Sequence, residues 1–272
     1  MELVQELVNI GPRPAGSEGA KRTAHWIADQ CRAMGYTTRI DEWTESTYSG
    51  PMTFRNVVAK TPGEDNTQWI LLGSHFDTKY LPNIPEFEGA NDSASSTALL
   101  LEIMRAIRGA DIPGGTGLEF VFFDGEECRV AYGPRDGLHG SKHHARGIRE
   151  AGRTDAYRAM VLLDMIGDRD LRLTLSGDTP SDLAKTTFRL AEKLGVRDRV
   201  GYYPHGAILD DHRPFQKIGI PSINLIDFQF GPDNAYWHTA DDSLDKLSTD
   251  SLHTVGKLAL HLVWTLAEPP SR

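Results

Sequence analysis

The chain begins with a helical rhythm. Leu3, Leu7 and Val8 fall on one side of residues 2–9, and Gly11-Pro12-Arg13-Pro14 stops the turns. Ser17 is suited to cap a second helix over residues 18–34, with Ala20, Ala24, Ile27, Cys31 and Met34 as its apolar stripe and Gly35 at its end. The period then falls to two. Residues 37–43 and 54–60 alternate apolar with polar side chains, which predicts an antiparallel pair of edge strands joined by a polar loop over 45–52. Short unbroken apolar runs follow. Residues 69–73, 118–123, 159–163 and 220–226 read as buried strands, and 171–176 as a further short one. Helical periods lie between them, from Gly89 through Ile107, over 140–147, over 181–194 and over 250–266. This alternation predicts an α/β fold: a mostly parallel central sheet with helices on both faces and antiparallel edge strands near the N-terminus. With no repeat and no linker, residues 1–272 are expected to form a single domain.

Composition narrows the classes of partner. The 272 residues, 39% of them hydrophobic, suffice for one full core. Acidic residues number 38 against 29 basic, a net charge of −9, and no basic run occurs, so neither nucleic acid nor an anionic membrane surface is an expected partner. No apolar run reaches the about 20 residues that span a bilayer. The opening Met1-Glu2-Leu3-Val4-Gln5 lacks the basic and apolar regions of a signal peptide, although a trimmed secreted or periplasmic precursor fits as well. Cys31 and Cys128 set no disulfide framework. Cys31 is expected to be packed and Cys128 to be an inert wall residue, because thiolate character needs a cationic neighbour.

Candidate chemistry gathers where the predicted strands end. The run 118–123 leads through Asp124-Gly125 into adjacent carboxylates, Glu126 and Glu127. Neighbours leaving a strand point in different directions, so one can bind something while the other works on what is bound. Two glutamates at the mouth of a buried strand are costly unless positive charge sits there. His75 follows one strand, Asp92 opens the next helix, Asp164 ends another strand, and His238 lies beyond 220–226. Ligands of open parallel sheets bind beyond the carboxyl ends of the strands, and all of these residues fall there. Carboxylate and imidazole without cysteine suit Zn²⁺ or a similar transition metal. Other readings are blander. Asp92 could be only a helix cap, Asp210-Asp211-His212 a solvated turn before Pro214, and His139, His143 and His144 the polar face of a short helix.

Several segments resemble the M28, aminopeptidase-type zinc hydrolases: Gly73-Ser74-His75-Phe76-Asp77, Gly89-Ala90-Asn91-Asp92, Gly125-Glu126-Glu127, Leu163-Asp164 and His238-Thr239. The details are similar to one branch, the animal-type glutaminyl-peptide cyclotransferases. These are Asp92-Ser93-Ala94, Phe122-Phe123-Asp124-Gly125-Glu126-Glu127, Pro134 to Ser141, Leu209 to Phe215 and Trp237-His238-Thr239. The aminopeptidase pattern instead has Asn after the bridging Asp, Ser-Asp-His for Asp-Asp-His, and no Trp before the last ligand.

The resemblance implies roles. Asp92, Glu127 and His238 match the three zinc ligands, which leaves a position open for substrate. Glu126 matches the proton-transfer residue, Asp164 and Asp210 match carboxylates that hydrogen-bond in the active site, and Trp237 matches the tryptophan that packs on the substrate side chain. The implied reaction converts N-terminal Gln of peptides or proteins to pyroglutamate with release of ammonia. In two-metal aminopeptidases His75 and Asp164 would hold a second zinc bridged by Asp92, and both residues are present. A co-catalytic aminopeptidase is therefore the alternative, and a catalytically dead binding module a more distant one. The chain departs from the branch at Asn224, where His is usual near the substrate pocket, at Tyr132, where Trp is common, and at Ser74, which replaces a disulfide cysteine.

Overall fold

β1 (Thr37–Thr47) and β2 (Gly50–Lys60) form an antiparallel hairpin in the computed structural model, which describes residues 1–62 and 67–268. The polar loop expected over 45–52 is largely absent. The strands run on to Thr47 and Gly50, because Gly50 takes φ +97° and lets the chain reverse within two residues. β2 continues antiparallel onto β4 (Thr116–Phe123), and β4 pairs in parallel with β3 (Gln68–His75). β3 also pairs in parallel with β5 (Tyr157–Asp164), and β5 with β8 (Ser222–Ile226). Two three-residue strands, β6 (Leu173–Leu175) and β7 (Val200–Tyr202), complete an eight-stranded sheet in the order β1-β2-β4-β3-β5-β8-β6-β7. The pattern of apolar residues does not reveal β7, which is too short to show a period.

Successive side chains of the central strands point to opposite faces, and each face has its own core. Ile70, Leu72, Phe120, Phe122, Val161 and Leu163 meet α1 (Glu2–Ile10), α2 (Glu18–Ala33), α3 (Ser96–Ala106), α5 (Ser181–Lys193) and α7 (Thr249–Ala267). Leu71, Val121, Phe123, Met160 and Leu162 meet α4 (His139–Glu150) and α6 (His212–Lys217). Helices thus cover both faces, as the alternation predicts. Ser17 accepts the N–H of Ala20 and caps α2 as expected. Ser74, where the resemblance sets a disulfide cysteine, donates its hydroxyl to Ser96 of α3 at 2.9 Å, and both cysteines are free.

The strand order reverses at β3. β4 lies on one side of it and β5 on the other, so the carboxyl ends of β4, β3, β5 and β8 face one crevice. This is where an open α/β sheet can hold a ligand. Among the described residues, no helix is long and apolar enough to cross a membrane.

Candidate metal and catalytic site

His75 is the last residue of β3 and Asp164 the last of β5. Glu126 and Glu127 leave β4 through Gly125, whose φ of +71° turns the chain. An added Cβ there would fall 2.6 Å from the Phe54 ring. Asp92 does not open a regular helix. It sits in a π-helical turn, Ala90–Ser95, with non-helical φ −108° and ψ 84°, and α3 begins only at Ser96. Its role as a simple N-cap is thereby removed. The unusual backbone aims a carboxylate into the crevice where a cap would aim it back at the helix.

Two groups of metal-type side chains meet there. Asp92, Glu127 and His238 bring one ligand atom each within 4.8 Å of one another, and so do His75, Asp92 and Asp164. His238 Nε2 lies 2.8 Å from Glu127 Oε1 and 3.2 Å from Asp92 Oδ2. His75 Nε2 lies 3.1 Å from both Asp92 Oδ1 and Asp164 Oδ1. Asp92 therefore faces both groups, one oxygen to each. Four tetrahedral ligands at zinc bond lengths of about 2.0–2.1 Å stand roughly 3.3 Å apart, so these spacings fit such an ion.

The charge balance makes the same demand. Asp92, Glu126, Glu127, Asp164, Asp210 and Asp211 are all buried. Burial, the Glu127 charge and the charges of Asp210 and Asp211 hold the Glu126 carboxyl well above its usual range. Burial and Asp210 push Asp164 up to about 7, and burial pushes Asp210 up to about 6. Burial alone would lower His238, but hydrogen bonds to Asp92 and Glu127 carry it up to about 9. A pocket with this excess of carboxylate is suited to hold a divalent cation.

A supporting layer fixes the candidate ligands. The Asp77 carboxylate accepts the backbone N–H groups of Glu126 at 3.0 Å and Glu127 at 3.2 Å. Asp242 does the same for Asn91 at 2.6 Å and Asp92 at 3.2 Å. Lys79 Nζ pairs with Glu127 Oε2 at 3.1 Å. Arg13, with no exposed surface, donates to the carbonyls of Phe76, Glu88 and Gly89, each at 2.8 Å. None of these roles follows from the apolar pattern. The signal the sequence does hold is position: Asp77 and Asp242 each lie within four residues of a candidate ligand.

The candidate ligands Asp92, Glu127 and His238 line a cavity of about 210 Å³, together with Glu126, Tyr132, Asp164, Asp210, Phe228 and Trp237. Pockets for drug-sized ligands hold about 300–1,000 Å³, so this one suits a single side chain. Trp237 stacks on His238 with ring centroids 4.1 Å apart and donates Nε1 to Asp92 Oδ2 at 3.2 Å. Asn224, which the resemblance sets near the substrate pocket, lies behind this wall. It is fully buried on β8 and donates to Asp210 Oδ2 at 2.6 Å. The turn expected at Asp210-Asp211-His212 is not solvated either, since all three are buried and α6 starts at His212. His139 and His144 are likewise buried, the first bonded to Glu45, so α4 does not present them as a polar face. Cys128 does have a cationic neighbour, with Lys79 Nζ 3.3 Å from its sulfur.

A model of peptidase family M28 matches residues 56–263. The chain belongs to peptidase family M28. Within M28 it is similar to a mouse glutaminyl-peptide cyclotransferase-like protein, 31% identical over 90% of this chain and 70% of that protein. A glutaminyl cyclase from an Acidobacteriales bacterium superposes with a TM-score of 0.89 at 32% identity, covering 97% of this chain and 92% of the other. A Zn-dependent exopeptidase from Parabacteroides distasonis superposes with a TM-score of 0.84, covering 97% of this chain and 96% of the other; at 23% identity it supports the fold alone.

Proposed function

We propose that the protein is a zinc-dependent glutaminyl-peptide cyclotransferase that converts N-terminal Gln of peptides or proteins to pyroglutamate and ammonia. One observation carries this reading: Asp92, Glu127 and His238 converge in a cavity of about 210 Å³, with Glu126 on its wall. Similarity to glutaminyl cyclases supplies the reaction class.

Asp92, Glu127 and His238 would hold Zn²⁺, which would supply Lewis acidity toward the substrate γ-carbonyl. In the reaction the α-amine nitrogen bonds to the γ-carbon, and the bond from that carbon to the amide nitrogen breaks. The amine must lose a proton and the leaving nitrogen must gain one. Glu126 lines the cavity, so as a carboxylate it can take the first and, once protonated, deliver the second. Asp164 and Asp210 face the same space and can accept hydrogen bonds from the amide NH₂. The Trp237 and Phe228 rings give the aliphatic part of the side chain an apolar surface. Chelator-stripped protein is expected to release no ammonia from a Gln-initiated peptide, and Zn²⁺ to restore release; activity unaffected by stripping removes the metal from the reading.

The His75, Asp92 and Asp164 group favours a second reading, a two-metal aminopeptidase in which Glu126 acts as base toward a water. Two equivalents of tightly bound zinc with cleavage of an aminoacyl chromogenic substrate would establish it.

A further inference from the structure

Residues 124–138 connect β4 to α4 with little regular structure, yet their shape is fixed from within. The Asp136 carboxylate accepts the backbone N–H groups of Arg129 at 2.8 Å, Val130 at 2.8 Å and Ala131 at 3.0 Å. Gly133 and Asp136 pair backbone to backbone. Lys142, on α4, donates to the carbonyls of Gly133 at 2.6 Å and Gly137 at 2.7 Å. The N–H of Leu138 closes the base on the Glu126 carbonyl at 2.8 Å. A loop tied at this many points holds its side chains in fixed places.

The residue it places is Tyr132. Its ring packs against Gly137, where φ is +71° and an added Cβ would come within 2.4 Å of a ring carbon. Lys79 Nζ lies 5.9 Å from the ring centroid. The phenol oxygen then stands 3.1 Å from Glu126 Oε1 and 3.2 Å from Oε2. A glutamate carboxylate otherwise turns broadly about its last bond. One O–H between both oxygens removes that freedom, while Asp77 fixes the Glu126 backbone from the other end.

We propose that Tyr132 is a positioning residue, whose hydroxyl pins the Glu126 carboxylate in the orientation from which it moves the proton. The inference rests on the proton-transfer role given to Glu126 above. It differs from a plain substrate-wall role, which the aromatic ring alone would fill.

Tyr132→Phe keeps the ring and removes one oxygen, so the two roles separate. The phenol role predicts kcat lower by about tenfold or more, with KM within about twofold and zinc content unchanged. A wall role predicts unchanged kcat, with only Tyr132→Leu raising KM. In a Glu126→Gln background, assayed at high enzyme concentration, Tyr132→Phe is expected to change the residual rate by less than about twofold, because its partner is already impaired. Unchanged kcat in Tyr132→Phe, or a full additional loss in the double variant, overturns the inference. Should the wild-type protein leave a Gln-initiated peptide untouched, the cyclase reading falls and this inference with it; wild-type turnover with an indifferent Tyr132→Phe sinks the inference alone.

Discussion

Asn224 donates its side-chain N–H to Asp210 Oδ2 at 2.6 Å from a fully buried position on β8. The bond favours the ionised form of Asp210 and works against the burial that pushes it up to about 6. Asn224→Leu, similar in size, is therefore expected to raise the Asp210 value further. The acid limb of the kcat/KM profile then moves to higher pH, and the fold loses about 1–3 kcal/mol. A pH profile of both proteins on one Gln-peptide checks this, with urea unfolding for stability.

Glu126→Gln keeps the shape of the side chain but cannot take a proton. Turnover should fall by about 10²–10⁴-fold with zinc content unaltered. Steady-state rates beside metal analysis decide it, and near-normal turnover removes Glu126 from proton transfer.

His238 is a candidate zinc ligand from the loop after β8. His238→Ala leaves Asp92 and Glu127 facing each other with one imidazole fewer, and zinc is expected to be lost on dialysis. Zinc should raise the melting temperature of the wild-type protein and barely move that of the variant, because a ligand stabilises only the state that binds it. Thermal scans with and without the ion measure the difference.

Arg13 holds three backbone carbonyls of the segment that carries Asp77 and leads to Asp92. Arg13→Met would leave these buried acceptors without donors and is expected to cost about 3 kcal/mol or more. Arg13→Lys should recover little, since one ammonium cannot span the fork of three acceptors. Chemical denaturation of the three proteins tests the order.

Glu119 gives the fold an acid limb of its own. Burial would raise its carboxyl, but His144, Lys60 and Tyr157 bring it down to about 2, from an ordinary 4.5. A depressed folded value means stability that is present above about pH 4.5 and lost as pH falls toward about 2. His144 carries the largest part of the effect, ahead of Lys60 and then Tyr157. Glu119→Gln should flatten the stability curve across that window, as followed by circular dichroism.

The ends of the buried strands are legible in the sequence because an apolar run that stops at a carboxylate or imidazole is costly unless something at that end compensates the charge. His75, Glu126, Glu127 and Asp164 stand out in that way, and they do share one crevice. The residues whose surroundings the sequence hides share a cause as well. Asp210, Asp211, His139 and His144 are polar residues in polar stretches, and their burial is imposed by elements distant in sequence. His139 is covered through Glu45 of the hairpin, which local periodicity cannot foresee. Asn224 has the neighbours expected of it but sits one layer further back, because a residue inside a strand can support a site without reaching it.

The central claim is that one side chain enters this cavity and closes on its own α-amine. Incubation of a peptide beginning with Gln, followed by intact-mass measurement, addresses it most directly. The predicted product is the same peptide lighter by one ammonia, with every residue retained and formation dependent on zinc. A peptide shortened by its first residue, or one left unchanged by the zinc-loaded protein, would contradict the account.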